Sequence, residues 1–314
     1  MSFRTRPALR GTLRSKFLLS LTLITTLITS AVLLVVQYRV RIHVREEIAQ
    51  ALRDSVVTFQ SLQQQRETTL ERSTALLATL PPLKAVMTSE DKATIEDASK
   101  TFWELAGSQV FALADRSGKL AALHTASPGF TADAAESAIK RYMAGGDSHD
   151  WWFGGGHLFQ VFLEPIYFGS PESGRPIGIL AVGYEIDASV AADVTRVASC
   201  GVGFGYGKNL VISTVPAPQR EALARYVAQL PDSDGGPGEL RLGEERFLAT
   251  SVRLSPGNAP PVTLTFLKSF DQATAFLQNL NRWIVAIGVL GVVAGSALVF
   301  LVSTTFTRPL GRLV

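Results

Sequence analysis

Two stretches of the chain carry no charged residue, and between them the spacing of apolar positions changes period several times. The first is FLLSLTLITTLITSAVLLVV, Phe17 to Val36, and the second is WIVAIGVLGVVAGSALVFLV, Trp283 to Val302. Each is about 20 residues, the length at which a helix rising about 1.5 Å per residue crosses a hydrocarbon core of about 30 Å. A cleaved signal peptide has a shorter core of about 7–15 apolar residues and a small-residue cleavage site. The first run is longer and no such site follows Val36. Both runs, 17–36 and 283–302, therefore read as transmembrane helices.

From Arg39 to Leu80 there is no Gly or Pro, and apolar residues fall at Val40, Val44, Ile48, Leu52, Val56, Phe59, Leu62, Leu70, Leu77 and Leu80. Steps of three, four and seven mark one face of a helix, and Pro81-Pro82 ends it. About 42 residues would form a rod of ~60 Å continuous with the first span. Such a stripe needs a partner; we expect a second copy of the same helix in a homodimer, with a solvated stalk as the alternative. A further helix is expected from Ser89, as its cap, to Leu105, stopped by Gly107.

The period then shortens. SQVFALADRSGKLAALHT reads as strand, Asp-Arg-Ser-Gly turn, strand. A helix follows over Thr131 to Met143, ended by Gly145-Gly146, and then the strands HLFQVFLEPIYF and RPIGILAVGYEID joined by the loop GSPESG. The second half repeats this order. GVGFGYGKNLVISTV is again a hairpin, PQREALARYVAQL a helix, and ERFLATSVRLSP and PPVTLTFLKSFDQ a strand pair. Both halves finish on an apolar residue and an Asp, Ile186-Asp187 and Phe270-Asp271, with a helix expected after each. Four correspondences in one order indicate an internal duplication. The expected fold class is α+β, with a long N-terminal helix and two tandem antiparallel sheets between two spans.

A long first helix, two stacked PAS-like sheets and a tail running into a second span are similar to the double Cache sensor modules of bacterial receptors, and to those of two-component sensor kinases in particular. FALADRSGKLAAL, EPIYFGSPESGRPIGILAVGYEID and GFGYGKNLVISTV carry the likeness. The closing TRPLGRLV resembles the first turns of a HAMP linker through Arg308, Pro309 and Leu310, with Leu313 one turn later. Proline is tolerated there because the first helical turn leaves its N–H without a partner anyway. The resemblance implies the input half of a receptor, with a histidine kinase as the output beyond residue 314. A membrane-anchored scaffold that docks another protein and sends no signal is the alternative.

Charge sets the orientation. Arg4, Arg6, Arg10, Arg14 and Lys16 precede the first span, and Arg308 and Arg312 follow the second, outweighing Arg39, Arg41 and Arg45. The positive-inside rule places both ends in the cytoplasm and residues 37–282 outside the inner membrane. A net charge of +3 gives no reason to expect nucleic acid, and apolar and charged fractions of 46% and 18% reflect the two spans. Cys200 is the single cysteine, so no internal disulfide forms.

The richest candidate chemistry is HDWWFGGGHLF, residues 149–159, read as a loop leading into a strand. His149, Asp150 and His157 match no metal spacing. Trp151 and Trp152, with Phe159, Tyr167 and Tyr142, are expected as ligand walls, apolar bodies with polar handles. Arg141 is the expected anchor for an anionic small ligand. GVGFGYGK is not a phosphate loop, since Val202 stands where the first Gly is required and Asn209 replaces Ser/Thr. No nucleophile with an adjacent base is visible, so no enzyme and no cofactor are expected. Gly288, Gly291 and Gly295 are expected to let another helix approach the second span.

The expected organisation is thus a cytoplasmic N-terminus (1–16), the first span, a stalk (37–80), a membrane-distal module (81–190), a membrane-proximal module (191–272), an exit helix (273–282), the second span and the HAMP start (303–314). Asp187, Asp271, Arg308, Pro309 and Leu310 lie along the expected signal path. Alkaline phosphatase fused after residue 150 is predicted to be active in an exporting bacterial host and inactive when fused after residue 314; the reverse pattern would overturn the orientation.

Overall fold

The computed structural model describes residues 13–89, 91–169, 174–230, 235–255, 260–273, 282–283, 285–295 and 297. Helix α1 (Leu13–Thr79) is followed by α2 (Pro81–Met87), α3 (Lys92–Ala106), β1 (Val110–Asp115), β2 (Leu120–Thr125), α4 (Ala132–Met143), β3 (His149–Gly154), β4 (His157–Phe168) and β5 (Arg175–Glu185). Then come α5 (Ala188–Ala198), β6 (Gly201–Tyr206), β7 (Asn209–Ser213), α6 (Ala217–Ala228), β8 (Gly235–Leu242), β9 (Glu245–Arg253) and β10 (Val262–Ser269). The chain divides into two compact units, one of Met1–Glu47 with Phe270–Val314 and one of Ile48–Ser269.

The larger unit holds two five-stranded antiparallel sheets, ordered β2-β1-β5-β4-β3 and β7-β6-β10-β9-β8. The two orders are the same, strand for strand, as the duplication in the sequence requires. Two strands exceed the sequence reading: β3, expected as a loop, and β8. Both are edge strands, where a single neighbour suffices and where Gly154 and Gly235-Gly236-Pro237-Gly238 are tolerated. Their glycines gave them the signature of turns.

Alternation along β1 shows how the first sheet is buried on both faces. Val110, Ala112 and Ala114 join Ala135, Ala138 and Ile139 of α4 in one cluster. Phe111 and Leu113 join Leu77, Ala78, Leu83, Met87 and Ile95 of the helical layer in another. The second sheet packs Phe247, Ala249 and Leu267 against Leu223 and Val227 of α6.

Helix α1 serves both sheets. Phe59 meets Phe266 of β10 edge-on at 5.7 Å, and Ser55 donates its hydroxyl to the Ala198 carbonyl at 2.8 Å. Further along, Leu77 and Ala78 lie in the core of the first sheet. The apolar stripe therefore finds its partner within the chain. Ile48, Leu52 and Phe59 are buried within the chain, whereas Leu62 is 45% exposed.

Helix ends follow capping chemistry, with one correction. Helix α3 is capped by Asp91, which accepts from Ala93 N and Thr94 N, and not by Ser89; Gly107 closes it in the left-handed conformation at φ 58°. Thr131 caps α4 and Asp187 caps α5.

In the smaller unit, a Cβ at Gly288 would lie 3.2 Å from Thr29 Cγ2, so this glycine faces the first apolar run, whereas Gly291 and Gly295 face open space. Among the described residues no helix is long and apolar enough to cross a membrane. The expected exit helix beyond residue 273, and Arg308, Pro309 and Leu310, lie outside the described residues.

A Cβ on Gly178 would enter the van der Waals shell of the Ala114 carbonyl oxygen and the Met87 methyl. Gly178→Ala is predicted to cost about 1–3 kcal/mol by overpacking the β1–β5 pair; a urea unfolding midpoint equal to wild type would contradict the close approach.

Candidate ligand-binding site

The stretch that looked like a loop is strand β3, paired with β4 so that Trp152 opposes Phe159 and Trp151 opposes Gln160. Successive side chains of a strand point to opposite faces. The two tryptophans therefore part company, and the expectation that both wall one pocket is corrected.

Trp152 and Phe159 face α4, where Tyr142 packs against them. Phe130 completes this group: its ring stacks on Trp152 at 6.0 Å and meets Phe159 edge-on at 5.2 Å. Phe130 immediately precedes the α4 cap Thr131, the position from which an apolar residue folds back on the helix's first turn. That signal was readable in the sequence. The Trp152 indole N–H donates to Asp150 Oδ2 at 3.0 Å, and the Arg141 guanidinium lies 3.5 Å from the same oxygen. Arg141, the expected anion anchor, is thus engaged with Asp150 at the rim. Burial raises the Tyr142 hydroxyl above its ordinary pKa, with Glu164 and then Tyr167 adding to the effect.

Trp151 faces α1 instead. His149 stacks on Phe162 at 5.1 Å and lies 5.8 Å from the Trp151 ring. The Gln160 amide nitrogen is 3.1 Å from Glu67 Oε1 of α1 and 3.0 Å from His149 Nε2. The sequence reading missed Gln160 and Glu67.

A third polar group lies where β4 begins and β5 ends. His157 Nδ1 is 2.6 Å from Glu185 Oε1, and Ser127 donates to Glu185 Oε2 at 2.8 Å. The carboxylate sits between the serine and the histidine, so the histidine does not reach the hydroxyl as a base would in nucleophilic catalysis. Among the described residues no cluster of three or more His, Cys, Asp or Glu could hold a metal ion.

The sheets meet where Phe153 stacks on Tyr206 of β6 at 4.7 Å. In the second half, a groove of about 510 Å³ runs between β7 and α6, lined by Leu210, Ile212, Ser213, Arg220 and Ala224 among others. Asp187 holds α5 by accepting from Val190 N at 2.9 Å and Ser189 Oγ at 2.6 Å, which lowers its pKa. Asp271 falls one residue inside a helical turn that begins at Phe270, so it does not repeat the Asp187 cap.

No family model matches this sequence and no curated protein matches it. Among solved structures, the periplasmic domain of Vibrio cholerae LuxQ is similar at a TM-score of 0.50 and 12% identity, covering 70% of this chain and 98% of that one. The sensory domain of the Campylobacter jejuni chemoreceptor Tlp3, solved with isoleucine bound, aligns at a TM-score of 0.43 and 12% identity over 74% of this chain and 97% of that one. The likeness to LuxQ bears out the Cache-like part of the resemblance read from the sequence, at the level of the fold: the larger unit has the fold of a periplasmic sensor domain.

Proposed function

We propose that the chain is the input half of a membrane receptor that senses a small extracytoplasmic ligand. The observation that carries this reading is the architecture of the larger unit, in which α1 supports both sheets and β10 is the central strand of the second; in the sequence the first apolar run precedes this unit and the second follows it. Large apolar side chains of both runs, among them Leu27, Leu34, Ile287 and Leu290, are exposed, which supports a lipid surrounding. Residues 81–190 would form the membrane-distal module and 191–272 the proximal one. Signal would pass through Phe270-Asp271 and the second span to a HAMP linker at Arg308, Pro309 and Leu310, and on to a histidine kinase.

The ligand site we propose is the α4 face of the first sheet. Trp152, Phe159, Tyr142 and Phe130 supply the apolar walls, with Tyr167 beside them. Arg141 grips an anionic group by exchanging Asp150 for it. A ligand that binds one packing of this face better than another biases the receptor by that difference alone, and typical couplings of about 1–3 kcal/mol give a graded response.

The test is the full chain fused after residue 314 to a kinase module of known activity and challenged with small carboxylates. An active compound is predicted to change autophosphorylation and to raise the thermal midpoint of the full chain, by an amount equivalent to about 2.7 kcal/mol at a hundredfold excess over Kd. Trp152→Ala should abolish both effects, while Trp151→Ala, on the opposite face, should retain them. Equal loss in the two variants would refute the site, and autophosphorylation indifferent to every compound that stabilises the chain would refute the receptor.

A further inference from the structure

The contact between α1 and the first sheet contains a polar cluster that ligand binding on the α4 face does not use. Gln160 is fully buried, and its amide nitrogen lies within hydrogen-bonding distance of both Glu67 Oε1 and His149 Nε2. With one N–H directed at the carboxylate and the other at the imidazole, His149 Nε2 must act as an acceptor, so the ring is neutral with its proton on Nδ1. The Gln160 carbonyl oxygen, Oε1, is buried with no hydrogen-bond partner. Leaving a buried acceptor unpaired is costly, so an arrangement in which this oxygen accepts a hydrogen bond would recover that cost.

We propose that His149, Gln160 and Glu67 form a proton-binding site, and that acidification of the outer compartment switches the grip of α1 from β4 to β3. Protonation places an N–H on Nε2, which then confronts the N–H2 group of Gln160 donor to donor. Rotating the amide by half a turn presents the unpartnered Oε1 to that N–H and breaks the bond from Gln160 to Glu67. Glu67 Oε1 already lies 3.8 Å from His149 Nε2, so it loses the neutral donor on β4 and gains the charge of the imidazolium on β3, an ion pair that needs no second N–H. One proton enters and none leaves. The helix stays attached to the sheet, through a different strand.

The groups around the ring agree with this sense. Burial is the largest influence and holds the His149 pKa below its ordinary value, while Glu67 and Glu71 from α1, and Asp150 and Asp147 from its own segment, act in the opposite direction. All four charged groups are acidic; from β4 the ring meets the uncharged Gln160 and Phe162. A histidine kept neutral by folding contributes stability above its unfolded pKa of about 6.5, and that contribution is lost as pH falls from there toward the folded value. Acid therefore acts against the observed packing and toward the alternative. The site reaches the receptor reading only through its consequence, since α1 continues into the first apolar run.

A pH titration of the full chain in detergent micelles, with histidine labelled at Cε1 and followed by NMR, tests the proposal without any ligand or output module. The His149 signal is identified by its loss in His149→Gln. It is expected to titrate below about 6.5, together with a step in tryptophan emission of the same midpoint from Trp151 beside it. Glu67→Gln, a change on the helix surface that keeps an acceptor and removes the charge, should lower that midpoint by about one pH unit. A midpoint at or above 6.5, an emission that ignores the titration, or a midpoint unmoved by Glu67→Gln would each overturn the proposal. If His149→Gln does not fold, the wild-type and Glu67→Gln titrations decide alone. A normal titration in a chain that transmits no signal would sink the receptor reading and leave the proton site standing.

Discussion

The larger unit is tied together by one helix that packs on both sheets. Ile48, Leu52, Phe59, Thr74, Leu77 and Ala78 are all turned inward along α1, and each sheet would expose part of its face without them. At about 1.5 Å per residue, the span from Phe59 to Thr74 covers ~22 Å, so a single rigid element supports both cores. Side chains in such cores interdigitate at crystal-like density and do not slide continuously.

The polar residues take their meaning from this arrangement. On the α4 side of the first sheet, the Arg141–Asp150–Trp152 string borders the aromatic cluster proposed as the ligand site. On the α1 side, Glu67, Gln160 and His149 tie the spine to the sheet through bonds that depend on protonation. The two proposed inputs, a ligand and a proton, would act on the same sheet from opposite faces. The strand β3 carries both, because its even positions look toward α4 and its odd positions toward α1.

Much of the fold was legible in the sequence because it rests on local periodicity. The stalk stripe, the α4 pattern ending at Gly145-Gly146 and the repeated order of hairpin, helix and strand pair all survive as observed elements. The edge strands β3 and β8 were not legible, since their glycines and Pro237 carry the signature of turns and only a neighbouring strand makes them regular. The partner of the stripe was also out of reach: periodicity reveals that a face is buried but not against what. For the same reason Trp152, Phe159 and Tyr142 were grouped correctly while Trp151 was assigned to the wrong face. Trp151 and Trp152 are adjacent in sequence and separate in space once β3 is a strand. Gln160 bonds to a glutamate 93 residues away, a pairing that no local pattern announces.

The most direct test of this account is amide hydrogen exchange along α1 in the full chain. If the helix is the shared spine, amides of residues 52–59 and 67–78 exchange as slowly as those of β5 and β10, because they open only when both cores open. Exchange at the rate of a helix bathed by solvent on all sides would mean that α1 is a stalk and that the two sheets stand without it.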